Sequence, residues 1–501
     1  MQPIAPNASS RQDMGIFRLK DTCWRVEPSP RAAFLIDNQS YFATLNTALR
    51  TAERSVYILG WAFDPRTRLA PDGAEGLNDP DEVGQILIGL ARAKPDIDVR
   101  VLVWKSPFGV MGHQDIRGHR AKRLFAKTTV GFREAQDVPI GACHHQKVVV
   151  IDDRLAFCGG GDLVVNRWDS PDHRDIEPRR ILPNRGRHPA RHEVTMLIEG
   201  AASKALGDLF RQRWADATGD QLPQTPQSSL EIWPPSVTPQ LSNVEVGIAR
   251  TRPRAKGRPA VDEIRRMTAA CIASARHTIY LENQYFTCRA VAEALATRLG
   301  ERDGPEVILL VSGRAPNWLD HLTMDYARNP LIRELRTKDS YGRLRALSPR
   351  TAAGAPIIVH SKVAVIDDRI VRVGSANLNN RSEGFDTECD LVIESNGPAT
   401  SREIRSFRDR LLAHYLGVDP NTLSHASVLK GGLVGAIDSL NGEGRLAPVA
   451  MDAPVWWEEV VAPRNLGDPS SVEESWRWRR QRPGDQFGRP PRSRPPERGR
   501  R

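Results

Sequence analysis

Two stretches of the chain place a histidine and a lysine two residues apart: His145 with Lys147, and His360 with Lys362. One such pair is a weak device, but two pairs brought together about a pseudo-twofold axis make a complete phosphoryl-transfer site. One imidazole can attack phosphorus and form a covalent phosphohistidine. The other protonates the leaving alkoxide and then activates water or an alcohol. Lys147 and Lys362 supply fixed positive charge to the non-bridging oxygens, a task that metal ions perform in other phosphoryl-transfer sites. The chemistry therefore calls for no metal and no cofactor. Residue order alone does not say which histidine is the nucleophile.

Each pair belongs to a longer block of the form His, one residue, Lys, four residues, Asp, six residues, Gly. Asp152 and Asp367 complete the catalytic blocks. On an extended strand His145 and Lys147 share one face and Asp152 falls on the other, as does Asp367 relative to His360 and Lys362. The aspartates are therefore expected to tie down the adjacent turn. Downstream, Gly374, Ser375 and Asn377 permit close backbone approach and offer an amide donor to a phosphate oxygen. Their first-block counterparts are Gly159, Gly160 and Asp162; an ionised Asp162 cannot donate, so it is expected to orient a lysine or histidine or to meet a polar head group. Gly160, Asp162, Ser375 and Asn377 are thus the candidate substrate-binding residues. An imidazole in such a role needs its second nitrogen held by a carboxylate. Glu193 and Glu388 occupy equivalent places and are the candidates, with Asp169 and Asp386 as competitors. His144 aligns with Val359 and falls outside the repeated set.

The elements that must position these groups are themselves repeated. Residues 145–163 align with 360–378 without a gap, and ten of nineteen positions are identical. Arg54 to Phe63 resembles Arg276 to Tyr285, Asp98 to Val103 resembles Glu306 to Val311, and Glu193 to Glu199 resembles Glu388 to Glu394. These β-branched runs predict strands, while Ala32 to Ala52, Asp81 to Ala93, Ala201 to Ala217 and Ala260 to Ala275 carry helical periodicity. The expected fold is α/β: two duplicated sandwich domains, each a mixed sheet flanked by helices, related by a pseudo-twofold and packed face to face with the active site between them. The first repeat is expected over 30–220, a Pro- and Gln-rich linker over 221–245, and the second repeat over 246–425. Residues 460–501, rich in Pro, Arg and Gly, are expected to form a disordered tail.

Composition narrows the class further. The 501 residues carry a formal charge of +10. Ten arginines against Asp485 and Glu497 give the stretch from Trp476 to Arg501 a net of +8, leaving about +2 for the rest. Six cysteines without a CxxC pair suggest neither zinc nor disulfides, and the expected state is reduced and buried. No run of 18 apolar residues is present, which excludes a membrane-spanning helix. No secretory signal is visible. The expectation is a cytoplasmic or peripheral membrane protein, with unconventional export left open.

The two HxKxxxxDxxxxxxG blocks resemble the signature of the phospholipase D superfamily, and the duplicated architecture covers about residues 30–420. GGxDL at Gly159 to Leu163, RWDSPDHR from Arg167 and ENQYF from Glu282 resemble the branch shared by bacterial and eukaryotic phospholipases D. The resemblance implies a monomeric pseudo-dimer that hydrolyses phosphatidylcholine-type glycerophospholipids at a membrane surface to phosphatidate and alcohol, with transphosphatidylation as a side capacity. It also implies His145 as nucleophile and His360 as general acid and base. Two sister chemistries stay open: phosphatidyl transfer of the cardiolipin or phosphatidylserine synthase type, and cleavage of DNA, which would give the arginine tail a nucleic-acid role.

Overall fold

A computed structural model describes residues 15–71, 81–106, 112–226, 231–255, 257–313, 324–450 and 468–469. Sixteen of their strands form one mixed sheet, and Arg191–His192 and Ile358–Val359 pair parallel in a second, two-stranded one. At its centre two 12-residue strands, Arg25–Ile36 and Leu241–Arg252, pair antiparallel, and each opens one half of the duplicated chain. Outward from Arg25–Ile36 the order is Val194–Glu199, Leu155–Gly159, Val148–Ile151, Ser55–Gly60, Asp98–Trp104 and Gly131–Ala135. Outward from Leu241–Arg252 the same order recurs as Glu388–Glu394, Ile370–Gly374, Val363–Ile366, Thr278–Asn283, Glu306–Val311 and Leu344–Pro349, with Leu446–Pro448 added at the edge. The expected mixed α/β duplication is therefore present, joined edge to edge at its centre.

Helices cover both faces of each half. The outer face of the first half packs on Asp37–Thr51 and Val83–Ala93, through Phe42, Leu45, Leu49 and Leu87, while that of the second packs on Glu263–Ser274 and Arg289–Gly300. The inner faces share a single core with helices Ala201–Thr218 and Pro398–Leu416. In it Phe34 of the first half stacks on Phe407 of the second at 4.1 Å, and Tyr57 stacks on Phe210 at 4.5 Å. Burying one such ring contributes about 1.5–3 kcal/mol, so the Phe34–Phe407 stack helps to bind the halves to each other. All six cysteines are free and buried.

Several expectations need correction. The helical periodicity from Ala32 is real only from Asp37: residues Ala32 to Ile36 are strand, paired with Ile198 to Val194. Asp37, at φ 61°, turns the chain from strand to helix. The repeat over the strand after each first helix is offset by one residue from the ungapped reading. Ser55 and Thr278 are the equivalent residues, since each pairs with the first residue of the next parallel strand, Asp98 and Glu306. Tyr57 thus corresponds to Tyr280 and Phe63 to Phe286, and the shift matters because one residue exchanges the two faces of a strand. Residues 241–245, expected as linker, begin the central strand, and Ile232 and Trp233 just before it are buried against the first half. Helices Pro420–Leu429 and Leu433–Leu440 extend the second half past residue 425. Most of the 460–501 tail lies outside the described residues, but Asp468 is buried and accepts hydrogen bonds from Thr287 Oγ1 and from the backbone of Asn380 and Arg381.

The motif aspartates explain how each hairpin is held. Asp152 and Asp153 lie at φ 55° and 53°, Asp367 and Asp368 at 52°, so each pair forms a left-handed turn between two strands. Asp152 accepts from the backbone N–H groups of Glu53, Arg54 and Ser55 at 2.7–2.9 Å; Asp367 accepts from Arg276, His277 and Thr278 at 2.6–2.8 Å. Both carboxylates are thus spent on the start of the neighbouring strand, away from the histidines. Removing one strands buried donors, at about 1–3 kcal/mol each where water cannot replace it. Asp152→Ala should lower unfolding free energy by about 2–4 kcal/mol in denaturant titrations, while the folded fraction keeps its turnover. Turnover lost without a stability change would instead place Asp152 in the chemistry.

Candidate active site

The two His-x-Lys segments lie immediately before strands Val148–Ile151 and Val363–Ile366, in extended backbone that crosses to the opposite half. The His145 N–H donates to Thr387 O at 2.9 Å, and the Thr387 N–H to Cys143 O at 3.0 Å. In the equivalent contact the His360 N–H donates to His192 O at 2.8 Å, and the Ile358 N–H to Ala190 O at 3.0 Å. These short parallel ladders put each histidine beside the residue that precedes a glutamate of the other half.

The result is an exchange of carboxylates. His145 Nδ1 lies 3.0 Å from both oxygens of Glu388, and His360 Nδ1 lies 3.4 Å from Glu193 Oε1. In each ring Nε2 is the nitrogen not turned to a glutamate. Glu388 is held by the hydroxyls of Ser375, at 2.5 Å, and Ser382, at 2.6 Å. Glu193 has no hydroxyl partner; Arg167 Nε stands 3.4 Å from it and Arg191 Nη1 4.0 Å. The aligned position explains the difference, because Gly160 stands where the second half has Ser375, and Arg167 where it has Ser382.

The lysines run parallel to the histidines. Lys147 Nζ donates to His145 O at 2.8 Å and stands 3.4 Å from Asp162 Oδ2. Lys362 Nζ donates to His360 O at 2.7 Å and to Gln284 Oε1 at 3.4 Å. Both are buried. Burial, followed by the charges of Lys147 and Lys362, holds His145 well below its ordinary pKa; burial, Lys362 and Arg167 do the same to His360. Burial also lowers Lys362 to about 7 and pushes Glu193 and Glu388 up. Lys147, Lys362 and Arg167 thus gather positive charge around the two imidazoles, a setting suited to an anionic group.

A sequence profile described as "Phospholipase D" matches residues 48–292, and one described as "Cardiolipin synthase, PLD-like domain" matches residues 269–411. The chain belongs to the phospholipase D superfamily. Relatives of the superfamily member include "Phospholipase D A" of Dictyostelium discoideum, 23% identical over 77% of this chain and 35% of its own length. "Phospholipase D1" of Schizosaccharomyces pombe is 22% identical over 81% of this chain and 37% of its own, and "Phospholipase D alpha 4" of Arabidopsis thaliana 23% identical over 74% and 62%. The chain thus spans between about a third and two thirds of these relatives. The crystal structure of phosphatidylserine synthase from Haemophilus influenzae Rd KW20 superimposes with a TM-score of 0.54 at 14% identity, over 83% of this chain and 94% of that one, and supports the fold.

Other expected residues of this superfamily site fall in different places. Asp162 also accepts from the Trp61 and Ala62 N–H groups, so it joins Lys147 to the neighbouring strand end. A Cβ on Gly160 would stand 2.6 Å from His360 O, so glycine is what lets the halves close. Ser375 turns its hydroxyl to Glu388 and away from a substrate position. Asn377 is buried, and its Oδ1 has no hydrogen-bond partner among the described residues. His144 is buried between Asp137, at 2.8 Å, and Thr387. Asp169 holds His173 at 3.0 Å, and Asp386 holds Arg381, so neither orients a site histidine. Arg167, Arg191 and Gln284 escaped the sequence reading, although Arg167 opens the RWDSPDHR stretch and Gln284 lies in ENQYF.

The lysine sets a pH dependence. With Lys362 lowered to about 7 by burial, its charge is present below that pH and lost above it. The kcat/KM for an anionic diester should therefore fall as pH rises through neutrality. The bound anion stabilises the ammonium, so the matching limb in kcat should lie at higher pH. Lys362→Arg, which stays charged, should remove the kcat/KM limb; a wild-type profile flat across neutrality would contradict it.

Proposed function

We propose that this chain is a phospholipase D that hydrolyses glycerophospholipids of the phosphatidylcholine type to phosphatidate and free alcohol. The observation that carries this reading is the pair of histidines that each turn Nδ1 to a glutamate of the other half, His145 hydrogen-bonded to Glu388 and His360 3.4 Å from Glu193, and that are each flanked by a buried lysine. His145 Nε2 attacks phosphorus; a P–N bond forms as the P–O bond to the head-group alcohol breaks. His360 delivers its proton to the departing oxygen. The anionic diester, by neutralising part of the lysine field, raises the affinity of His360 for that proton. In the second step His360 takes a proton from water, the water oxygen bonds to phosphorus, and the P–N bond breaks to release phosphatidate.

The order of roles rests on asymmetry. The His145 side chain is 16% exposed against 7% for His360, and its contacts to Glu388 are the shorter. Lys147, Lys362 and Arg167 stabilise charge on the non-bridging oxygens, and Asn377 contacts the phosphate. No helix among the described residues is long and apolar enough to cross a membrane, and in this reading the lipid is met at a membrane surface. Both half-sites lie in one chain, so it works as a monomer.

A phosphatidyltransferase would share the first step and differ only in the acceptor, so product analysis separates the readings. Phospholipid vesicles incubated with the protein and a primary alcohol should give phosphatidate and some phosphatidyl-alcohol by mass spectrometry. Folded His145→Asn should give neither, a loss of at least about 10³-fold. Transfer product without phosphatidate would identify a transferase. Intact lipid with cleaved DNA would overturn the lipid reading.

A further inference from the structure

Behind the Glu193 arm lies a second cluster, formed by Asp37, His173, His192 and His414, whose candidate donor atoms all fall within 4.8 Å of one another. We propose that these four side chains bind one divalent transition-metal ion, with zinc as the fitting ion, which staples the two halves together.

The arrangement of the nitrogens carries the proposal. Each ring has one nitrogen committed outward: His173 Nδ1 to Asp169 Oδ2 at 3.0 Å, His192 Nε2 to Glu282 Oε2 at 3.0 Å, and His414 Nδ1 to Arg410 O at 3.3 Å. The opposite nitrogens, His173 Nε2, His192 Nδ1 and His414 Nε2, are buried without a hydrogen-bond partner among the described residues, as is Asp37 Oδ2. His192 Nδ1 stands in ion-pair contact with Asp37 Oδ1 at 2.9 Å, out of line for a well-formed hydrogen bond, and His173 Nε2 is 3.7 Å from Asp37 Oδ2, too far for one. Four donor atoms within 4.8 Å of one another, three of them imidazole nitrogens without a hydrogen bond, leave a shared centre that one ion can fill. Outer carboxylates or carbonyls behind ligating imidazoles, with the inner nitrogens left bare, are the pattern that fixes tautomers for metal binding.

The donor set selects the ion. Three imidazoles and a carboxylate suit zinc among the first-row metals, and four protein ligands without an open position mark a structural rather than a reactive ion. Tetrahedral zinc with bonds of about 2.0 Å places donors about 3.3 Å apart, so the side chains draw in by about an ångström on loading. Asp37, Asp169 and Glu282 bring three buried carboxylates to the cluster, and a dication offsets their charge.

The position gives the ion a purpose. Asp37, His173 and His192 belong to the first half, while His414 is in the last turn of the second-half helix Pro398–Leu416. The Asp37 N–H donates to Glu193 O at 2.8 Å, and the Glu193 N–H donates to Asp37 Oδ1 at 3.2 Å. His192 O accepts the His360 N–H. A metal here fixes the floor under Glu193 and His360 without touching the diester.

The test uses the full chain, purified without chelators from zinc-supplemented medium. Elemental analysis should find about one zinc per chain, and cobalt exchanged into the site should show the visible absorption of a tetrahedral ion. Stripping with dipicolinate should lower Tm by several degrees, with zinc chloride restoring it. His414→Gln and, separately, His173→Gln should each lose the metal and the zinc-dependent rise in Tm, while His188→Gln, outside the cluster, keeps both. A wild-type chain that holds no metal and whose Tm ignores zinc overturns the proposal, as does stoichiometric zinc retained in folded His414→Gln.

Discussion

Neither half of this protein contains a complete site, because the carboxylate that each histidine needs is carried by the other half. Glu388 reaches His145 and Glu193 reaches His360 only because the two-residue ladders, at 143–145 with 387 and at 358–360 with 190–192, bring the segments into register. Those ladders exist because the central strands Arg25–Ile36 and Leu241–Arg252 pair and fold the two inner faces onto one core. The N-terminal segment strengthens the dependence: Ile16 and Cys23 are buried in the core of the second half, and the Trp24 N–H donates to Ile248 O. Separating the halves would expose shared apolar surface and take from each glutamate the histidine it faces, so folding and site assembly are one event.

Close approach sets the second constraint. Any side chain at Gly160 meets His360 O at 2.6 Å, and one at Gly161 meets Glu193 Oε2 at 2.2 Å. Within the GGG run at 159–161, Gly160 therefore serves the closure of the interface and Gly161 leaves room for the Glu193 carboxylate of its own half; permissiveness in φ has no part in it, since none of the three adopts a positive φ. In the second half Ser375 fits at the position equivalent to Gly160 because its hydroxyl becomes a ligand of Glu388.

Most of this architecture is legible in the sequence because the chain states it twice. The offset of 215 between the two blocks identifies the histidines, the lysines and the turn aspartates without any three-dimensional information. Duplication also points to Glu193 and Glu388, but which glutamate serves which histidine depends on strand order and could not be read. The one-residue error that set Tyr57 opposite Ile279 instead of Tyr280 arose because strand alternation carries little signal in runs buried on both faces, such as SVYILG and TIYLEN. The cluster of Asp37, His173, His192 and His414 was invisible for a different reason. Its members come from four separate segments with no metal-ligand spacing between them, and only the fold assembles them.

A duplicated site must still perform two different tasks, and the departures from symmetry are where the tasks divide. In the proposed reaction the nucleophilic ring becomes a cation when it bonds to phosphorus, so it benefits from a carboxylate held close and committed to it. Glu388 meets that need: two serine hydroxyls fix its oxygens, and both lie 3.0 Å from His145 Nδ1. The acid-base ring needs the opposite, a proton held loosely enough to leave. Glu193 stands farther away, at 3.4 Å from His360 Nδ1, and shares its charge with Arg167 at 3.4 Å and Arg191 at 4.0 Å. Those guanidiniums weaken the pull of the carboxylate on an imidazolium, and their own charge lies beside the ring. In the proposed reaction the glycine–arginine pair of one half and the two serines at the aligned positions of the other are thus where the environments of the two histidines diverge.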